Sequence, residues 1–251
     1  MIPEPQRKTA PTARERVNRR YRDEVWTPLT LRPNAVSTTR HDDIARLIHG
    51  EHGRVLDFGC GSGQLVIALS DSFETLVGVD SSDTRIRLAS TMLDERYAER
   101  SGRISFRWVG SDEPLPFPDH AFDVVIASAV LEAVPDVFFS LDEIARVCRP
   151  GGALLVSVAN TCYVKHVPGM LMGRVPLTWS PTREMAVWRE HGWDGGCLRH
   201  FCKGILGDLL EHTGFVPEQW SGSGGLAKLR RWHLNLCGGL TVRARRVTAP
   251  R

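Results

Sequence analysis

Three glycines at alternate positions, Gly59, Gly61 and Gly63, follow an apolar run that carries one carboxylate, Asp57, and the next apolar run ends in another, Asp80. Residues Arg54-Val55-Leu56-Asp57-Phe58-Gly59-Cys60-Gly61-Ser62-Gly63-Gln64 read as a buried strand entering a glycine-rich turn and then a helix. Glycines let the backbone turn tightly and approach a ligand more closely than any side chain permits, and the following helix offers free N–H groups. Thr75-Leu76-Val77-Gly78-Val79-Asp80 reads as the second strand. An acid at its end accepts hydrogen bonds from both ribose hydroxyls of a nucleoside. These are the parts of a loop for a small molecule that contains a nucleoside.

The spacing narrows the nucleoside. A dinucleotide fingerprint reads G-x-G-x-x-G, whereas this loop reads Gly59-x-Gly61-x-Gly63 with Gln64 where the third fingerprint glycine would stand. NAD is the weaker reading. Asp57, two residues before the first glycine, would put negative charge near a pyrophosphate, but it suits an ammonium group. S-adenosylmethionine (SAM) carries that ammonium and a ribose, and no phosphate.

With these features the chain resembles the class I SAM-dependent methyltransferases, particularly the small-molecule group called methyltransferase type 11 or type 12. Four blocks match in order: Val55 to Gly63, Leu76 to Asp80, Leu115-Pro116-Phe117-Pro118-Asp119 through Phe122-Asp123-Val124-Val125-Ile126 to Leu131-Glu132, and Arg146-Val147-Cys148-Arg149-Pro150-Gly151-Gly152. The ordered set, over roughly residues 40–160, is far more specific than one glycine loop. The resemblance implies a Rossmann-like, doubly wound α/β sheet of seven strands, mostly parallel with an antiparallel last strand and helices on both faces. It also implies SAM as cofactor. Two positions depart from the family pattern. Ser111 stands where an adenine-facing acid is usual, so that either the neighbouring Asp112 or the backbone meets the adenine amino group, and Ala133 stands where a histidine often follows Leu-Glu.

The elements that must position these residues follow from periodicity. Apolar runs at 54–59, 75–80, 104–110, 122–130 and 152–160 read as strands, with a helix after each of the first four. That alternation implies parallel β-α-β units. Ile44, Leu47 and Ile48 have helical spacing before the first strand, and Ser140-Leu141-Asp142-Glu143 has the spacing of a capping box, with Leu141, Ile144, Ala145 and Cys148 as the buried stripe and Pro150-Gly151-Gly152 as the stop. Lys203 to His212 reads as another helix ended at Gly214, followed by strands at 215–222 and 239–246. Right-handed crossovers bring Asp57, Gly59, Gly61, Gly63, Asp80, Ser81, Ser111, Asp112 and Ser128 to one crevice at the carboxyl ends of the strands.

The chain of 251 residues, 42% hydrophobic, suits one domain with an elaboration. Residues 1–13 are proline-rich and polar and read as a disordered tail; residues 14–251 form the methyltransferase domain, with a basic amphipathic cap helix at 14–26 bearing Tyr21 and an insertion at about 161–202. A net charge of +3 is mild. Its basic residues gather at 14–22 and 243–246, a pattern usual for a solvated face, and with no recognised nucleic-acid module beside them nucleic acid is disfavoured as a partner. The six cysteines show neither a C-x-x-C pair nor zinc-like spacing, so they read as reduced core residues and no metal is expected. No signal-peptide pattern and no apolar run of spanning length is present, so a cytoplasmic protein without a membrane span is expected.

The 161–202 insertion is the candidate acceptor site, because connections of that length are commonly lids or binding loops. It holds Tyr163, His166, Met170, Met172, Trp179, Trp188, His191, Trp193, Asp194 and His200, apolar area with a few titratable groups suited to a small organic acceptor. Packing of the cap onto the sheet is the equally weighted alternative for the aromatics and methionines. Its tail, Trp193 to Phe201, resembles an aspartate-glycine-x-histidine-leucine-arginine-x-phenylalanine signature of these enzymes, with Cys197 in the histidine position. Methyl transfer to an oxygen or nitrogen of a small metabolite is the leading expectation. His191 is the first candidate for a base, followed by His166 and His200. The rivals are a methyltransferase acting on RNA or protein, a SAM-binding partner protein without turnover, and an NAD-linked oxidoreductase. Neither acceptor identity nor oligomeric state is encoded in any motif.

Overall fold

The computed structural model describes residues 38–178, 197–224 and 233–247. The tail at 1–13, the cap helix at 14–26, Trp188, Trp193 and His191 lie outside them.

Seven strands form one sheet: β1 (Arg54–Phe58), β2 (Thr75–Asp80), β3 (Ile104–Trp108), β4 (Phe122–Ser128), β5 (Cys148–Ala159), β6 (Phe215–Ser223) and β7 (Gly239–Arg246), in the order β3-β2-β1-β4-β5-β7-β6. Strands β1 to β5 pair in parallel, and β7 lies antiparallel between β5 and β6. The fold class and the antiparallel last strand are as expected from sequence.

Period-two alternation sends successive side chains to opposite faces, so the central strands are apolar throughout. Leu56, Val125, Ala127, Leu154 and Val156 enter one core, and Val55, Val124, Ile126, Ala153 and Leu155 the other. The first core is closed by α4 (Val137–Val147) and α6 (Lys203–His212) through Leu141, Ile144, Leu206 and Leu210. The second is closed by α1 (Thr38–Leu47), α2 (Gln64–Leu69) and α3 (Asp83–Arg96) through Ile44, Leu47, Leu65, Ile86 and Leu93. A short helix, α5 (Val167–Leu171), lies in the insertion. Helices therefore cover both faces.

Several details differ from the sequence reading. No helix joins β3 to β4: the chain crosses through 109–121, where Arg146 from α4 donates to the carbonyls of Leu115 and Phe117 and ties the loop down. The N-cap of α4 is Asp136, whose Oδ1 accepts from the backbone N–H groups of Phe138 and Phe139, both at 3.0 Å. Ser140 lies one turn inside and donates its hydroxyl back to the Asp136 carbonyl. Two cap candidates compete in this sequence, and Asp136 wins because starting there buries Val137 together with Leu141 and Ile144. Strand β5 begins at Cys148, which pairs with Phe122 ahead of a bulge, so Pro150-Gly151-Gly152 lies within the strand instead of ending a helix. Of the cysteines read as core, Cys60, Cys148, Cys197 and Cys237 are buried, while Cys162 is exposed and Cys202 half-buried.

Candidate functional site

The chain runs outward from β1 to β3 and then returns to place β4 on the other side of β1. The crevice at such a reversal, outside the carboxyl ends of the strands, is where open α/β sheets bind ligands. The glycine loop lies there. Gly59, Gly61 and Gly63 have φ of 80°, 56° and 76°, all in the left-handed region that glycine adopts without strain. The loop is pinned by the Gly59 and Cys60 N–H groups, which donate to the Val79 carbonyl at 2.8 and 2.9 Å.

The three glycines serve different purposes. A methyl on Gly59 would lie 2.5 Å from Val130, and one on Gly63 would lie 2.4 Å from the Phe106 ring, so both are glycine because neighbouring side chains fill the space. At Gly61 the nearest atom would be an Arg85 guanidinium nitrogen at 3.8 Å. Gly61 therefore has room for a methyl, in ordinary contact with Arg85. We expect Gly63→Ala to lower stability by roughly 2–4 kcal/mol through overpacking and backbone strain. Gly61→Ala should cost only about 1–2 kcal/mol of backbone strain yet abolish cofactor binding. Thermal melting beside calorimetric SAM titration checks the contrast; unaltered SAM binding by Gly61→Ala would refute the assignment of that space.

Two carboxylates face each other across β1 and β2. Asp80, 7% exposed, accepts from Gly61 N–H through Oδ2 at 2.9 Å and from Ser82 N–H through Oδ1 at 2.8 Å, and Arg85 Nη1 lies 4.0 Å from Oδ2. Each carboxylate oxygen keeps acceptor capacity after one such bond. Asp57 is 3% exposed, and its Oδ1 has no hydrogen-bond partner among the described residues. Burial, reinforced by the charge of Asp80, pushes the Asp57 carboxyl up to about 7. The same two effects, burial first, hold the Cys60 thiol well above its ordinary value. The pocket is short of positive charge beside Asp57.

The other residues singled out from sequence divide into two groups. Ser81, Ser111 and Ser128 lie at the carboxyl ends of β2, β3 and β4 on the same edge as the glycine loop, with Ser111 and Ser128 half-buried and Asp112 exposed beside Ser111. The Ser81 carbonyl accepts from the Trp108 indole at 2.9 Å, which fixes the rim between β2 and β3. Of the histidines, His166 ends a 3-10 turn beyond β5, its ring edge-on to Tyr163 at 5.6 Å. His200 precedes Phe201, which bridges to Asn160 just past the end of β5; its Nδ1 is buried without a hydrogen-bond partner among the described residues.

Sequence reasoning passed over three contributors. Ala129 turns the chain with φ of 53°, which ends β4 early and seats Val130 over Gly59. Glu132 is 1% exposed; it accepts from Ala159 N–H at 2.8 Å through its carboxylate, and its carbonyl accepts from Leu198 and Arg199 N–H groups. Arg199 in turn donates to the carbonyls of Val134 and Pro135. The tail of the insertion is thus docked on the β4 loop, beside the crevice. Arg85 is the third. Its position in the first turn of α3, just after Asp80, was a readable signal.

Residues 56–156 match the family model described as a methyltransferase domain. The matched segment is thus similar to a methyltransferase domain. The ubiquinone biosynthesis O-methyltransferase of Rhizobium etli is 34% identical over 129 residues, 51% of this chain and 50% of that protein. The 27-O-demethylrifamycin SV methyltransferase of Amycolatopsis mediterranei is 37% identical over 122 residues, covering 47% and 43% respectively. This chain thus spans about half the length of the curated relatives it matches. Among solved structures, an S-adenosylmethionine-dependent methyltransferase from Mesorhizobium loti shares the fold with a TM-score of 0.60 at 19% identity, over 82% of this chain and 96% of that one. The cofactor of such methyltransferase domains is SAM, and the room beside Gly61 together with the Asp57 Oδ1 that has no partner among the described residues fits it. No helix among the described residues is long and apolar enough to cross a membrane.

Proposed function

We propose that the protein transfers the methyl group of SAM to a hydroxyl of a small metabolite of phenolic, quinol or polyketide type. The observation that carries the reading is a buried Asp57 oxygen without a hydrogen-bond partner among the described residues, next to a glycine turn whose central residue leaves room for a methyl, with Asp80 bound to that turn. Names of relatives that methylate oxygen support the hydroxyl as acceptor.

When bound, SAM supplies an electrophilic methyl on a sulfonium that is already a good leaving group. Asp57 would hold the ammonium and Asp80 the ribose hydroxyls, while Ser111 or Asp112 meets the adenine edge and Ser81 and Ser128 line the rim. The protein's main task is alignment: holding acceptor and methyl in line at near-attack distance is worth roughly 7–11 kcal/mol. The 161–202 segment, docked through Glu132 and Arg199, would shape the acceptor pocket.

A hydroxyl benefits from a base, and His200 is the candidate with an available buried ring nitrogen on the correct edge. His191 lies outside the described residues, and His166 sits near the start of the insertion with its ring against Tyr163. The test is methyl incorporation from labelled SAM across a panel of phenols, quinols and polyketide hydroxyls. For an accepted substrate, His200→Ala should lower kcat about 100-fold, leave SAM affinity unchanged and be partly restored by added imidazole. Wild-type turnover in that variant removes His200 from the role.

A further inference from the structure

The two ends of the insertion meet. Asn160 and Phe201 form a parallel bridge, and Thr161 N–H donates to the Phe201 carbonyl at 2.9 Å. Asn160 is wholly buried and tied on every side: its amide nitrogen donates to the Cys237 carbonyl at 3.0 Å and the Leu234 carbonyl at 3.3 Å, and its amide oxygen accepts from Cys162 N–H at 3.1 Å. Phe201 is 2% exposed in the first core. Each cysteine follows directly from this anchored bridge. Cys162 stands two residues past Asn160, Cys202 is the residue after Phe201 and the N-cap of α6, and the bridge makes the two side chains neighbours.

The remaining cysteines differ in setting. Cys60, Cys148, Cys197 and Cys237 are buried, whereas Cys162 is exposed and Cys202 half-buried, so this pair is open to a small reagent. Partial desolvation first, and then the adjacent Cys202 thiol, hold the Cys162 thiol above its ordinary value, which slows attack by Cys162 near neutral pH without blocking exchange.

We propose that Cys162 and Cys202 form a reversible disulfide that closes the 161–202 segment into a covalent loop at its root, with a low-molecular-weight disulfide as oxidant. One protein thiolate attacks the small disulfide, its S–S bond breaks, and one small thiol leaves. The second protein thiolate then attacks the mixed disulfide at the protein sulfur, forming the Cys162–Cys202 bond and releasing the second small thiol. The two protons lost by the protein end on the two released thiols; the protein is oxidised by two electrons and the small disulfide is reduced by two. A reducing thiol reverses both steps. The bridge fixes the backbone next to both cysteines before any bond forms between them. The loop so closed is the segment read as the acceptor cap, so an effect on turnover rests on the proposed function, whereas the linkage itself does not.

The experiment exposes the full reduced chain to oxidised glutathione, quenches with acid, alkylates under denaturing conditions and maps the peptides by mass spectrometry. The expected product is a cross-link between the peptides of Cys162 and Cys202, with Cys60, Cys148, Cys197 and Cys237 recovered alkylated. The oxidised protein should melt about 5 °C or more above the reduced form, as expected for closing a long loop, and Cys162→Ser and Cys202→Ser should lose both the cross-link and the shift. Glutathione adducts without a cross-link, or a cross-link that survives in either serine variant, would overturn the proposal. Once an acceptor is found, oxidation should change its KM at least threefold with SAM affinity unchanged. An unchanged KM would remove the regulatory consequence and leave the methyl-transfer reading intact.

Discussion

Replacing Asp57 with asparagine is expected to make the protein more stable and the cofactor site worse. In the folded chain the carboxyl is pushed up to about 7 by burial and by Asp80, from an ordinary value of 3.8. The folded state therefore holds a proton between pH 4 and 7 that the unfolded chain has released, and stability falls as pH rises through that window. At pH 8 the accumulated penalty is about 4 kcal/mol, taking 1.36 kcal/mol per unit. An amide does not titrate, and its own burial costs about 1–3 kcal/mol. Asp57→Asn should thus melt higher than wild type at pH 8 by roughly 5 °C, and the advantage should vanish near pH 4. SAM binding moves the opposite way. An ammonium beside Asp57 favours the ionised form, so wild-type affinity should rise between pH 6 and 7 with release of a proton, and the asparagine variant should bind more weakly without that pH dependence. Melting curves and calorimetry in buffers of different ionisation enthalpy read both halves. A variant destabilised at pH 8 with unaltered SAM affinity would contradict the role of Asp57 on each count.

Asp80→Ala should cost more, because this carboxylate is committed before any ligand arrives. Removing it leaves Gly61 N–H and Ser82 N–H without their acceptor and takes away the anion facing Arg85. Loss of those interactions is worth about 3 kcal/mol of stability. In the proposed role the same change would delete the acceptor for two ribose hydroxyls, so SAM affinity should fall at least about 100-fold, at about 1.5 kcal/mol for each bond to a charged group. Urea unfolding and calorimetric titration measure the two losses separately. SAM binding within threefold of wild type would exclude Asp80 as the ribose acid. Since the Asp80 charge helps raise Asp57, the two substitutions should not be additive: Asp57→Asn should gain less stability in an Asp80→Ala background.

The sequence was most legible where one local constraint decides the outcome. Gly59, Gly61 and Gly63 have no alternative reading once a strand runs into them, and the reversal of strand order after β3 then fixes which crevice they line. It was least legible where two local signals compete or where partners are remote in sequence. Asp136 and Ser140 are both good helix caps, and only burial of Val137 chooses between them. The alternation of elements predicts a helix in the crossover from β3 to β4 although Pro114, Pro116 and Pro118 cannot sit inside one, and Arg146 from α4 ties it down as a loop. Glu132 looked like one half of a family motif. Its use, gripping Ala159 and the tail of the insertion, depends on residues that no periodicity brings near it. The nearness of Cys162 to Cys202 has the same origin, since it follows from the bridge between Asn160 and Phe201.

The position of β7 between β5 and β6 bears on how the chain emerges from the ribosome. β6 is synthesised before β7, yet among the described strands its sole neighbour in the sheet is β7. Until residues 239–246 have appeared, β6 has nothing to pair with and β5 presents an open outer edge, a state lasting about a second or more at ordinary translation rates. Chains truncated before Gly239 should therefore be captured by chaperones that read unpaired strands, and released chains that include Arg246 should escape them.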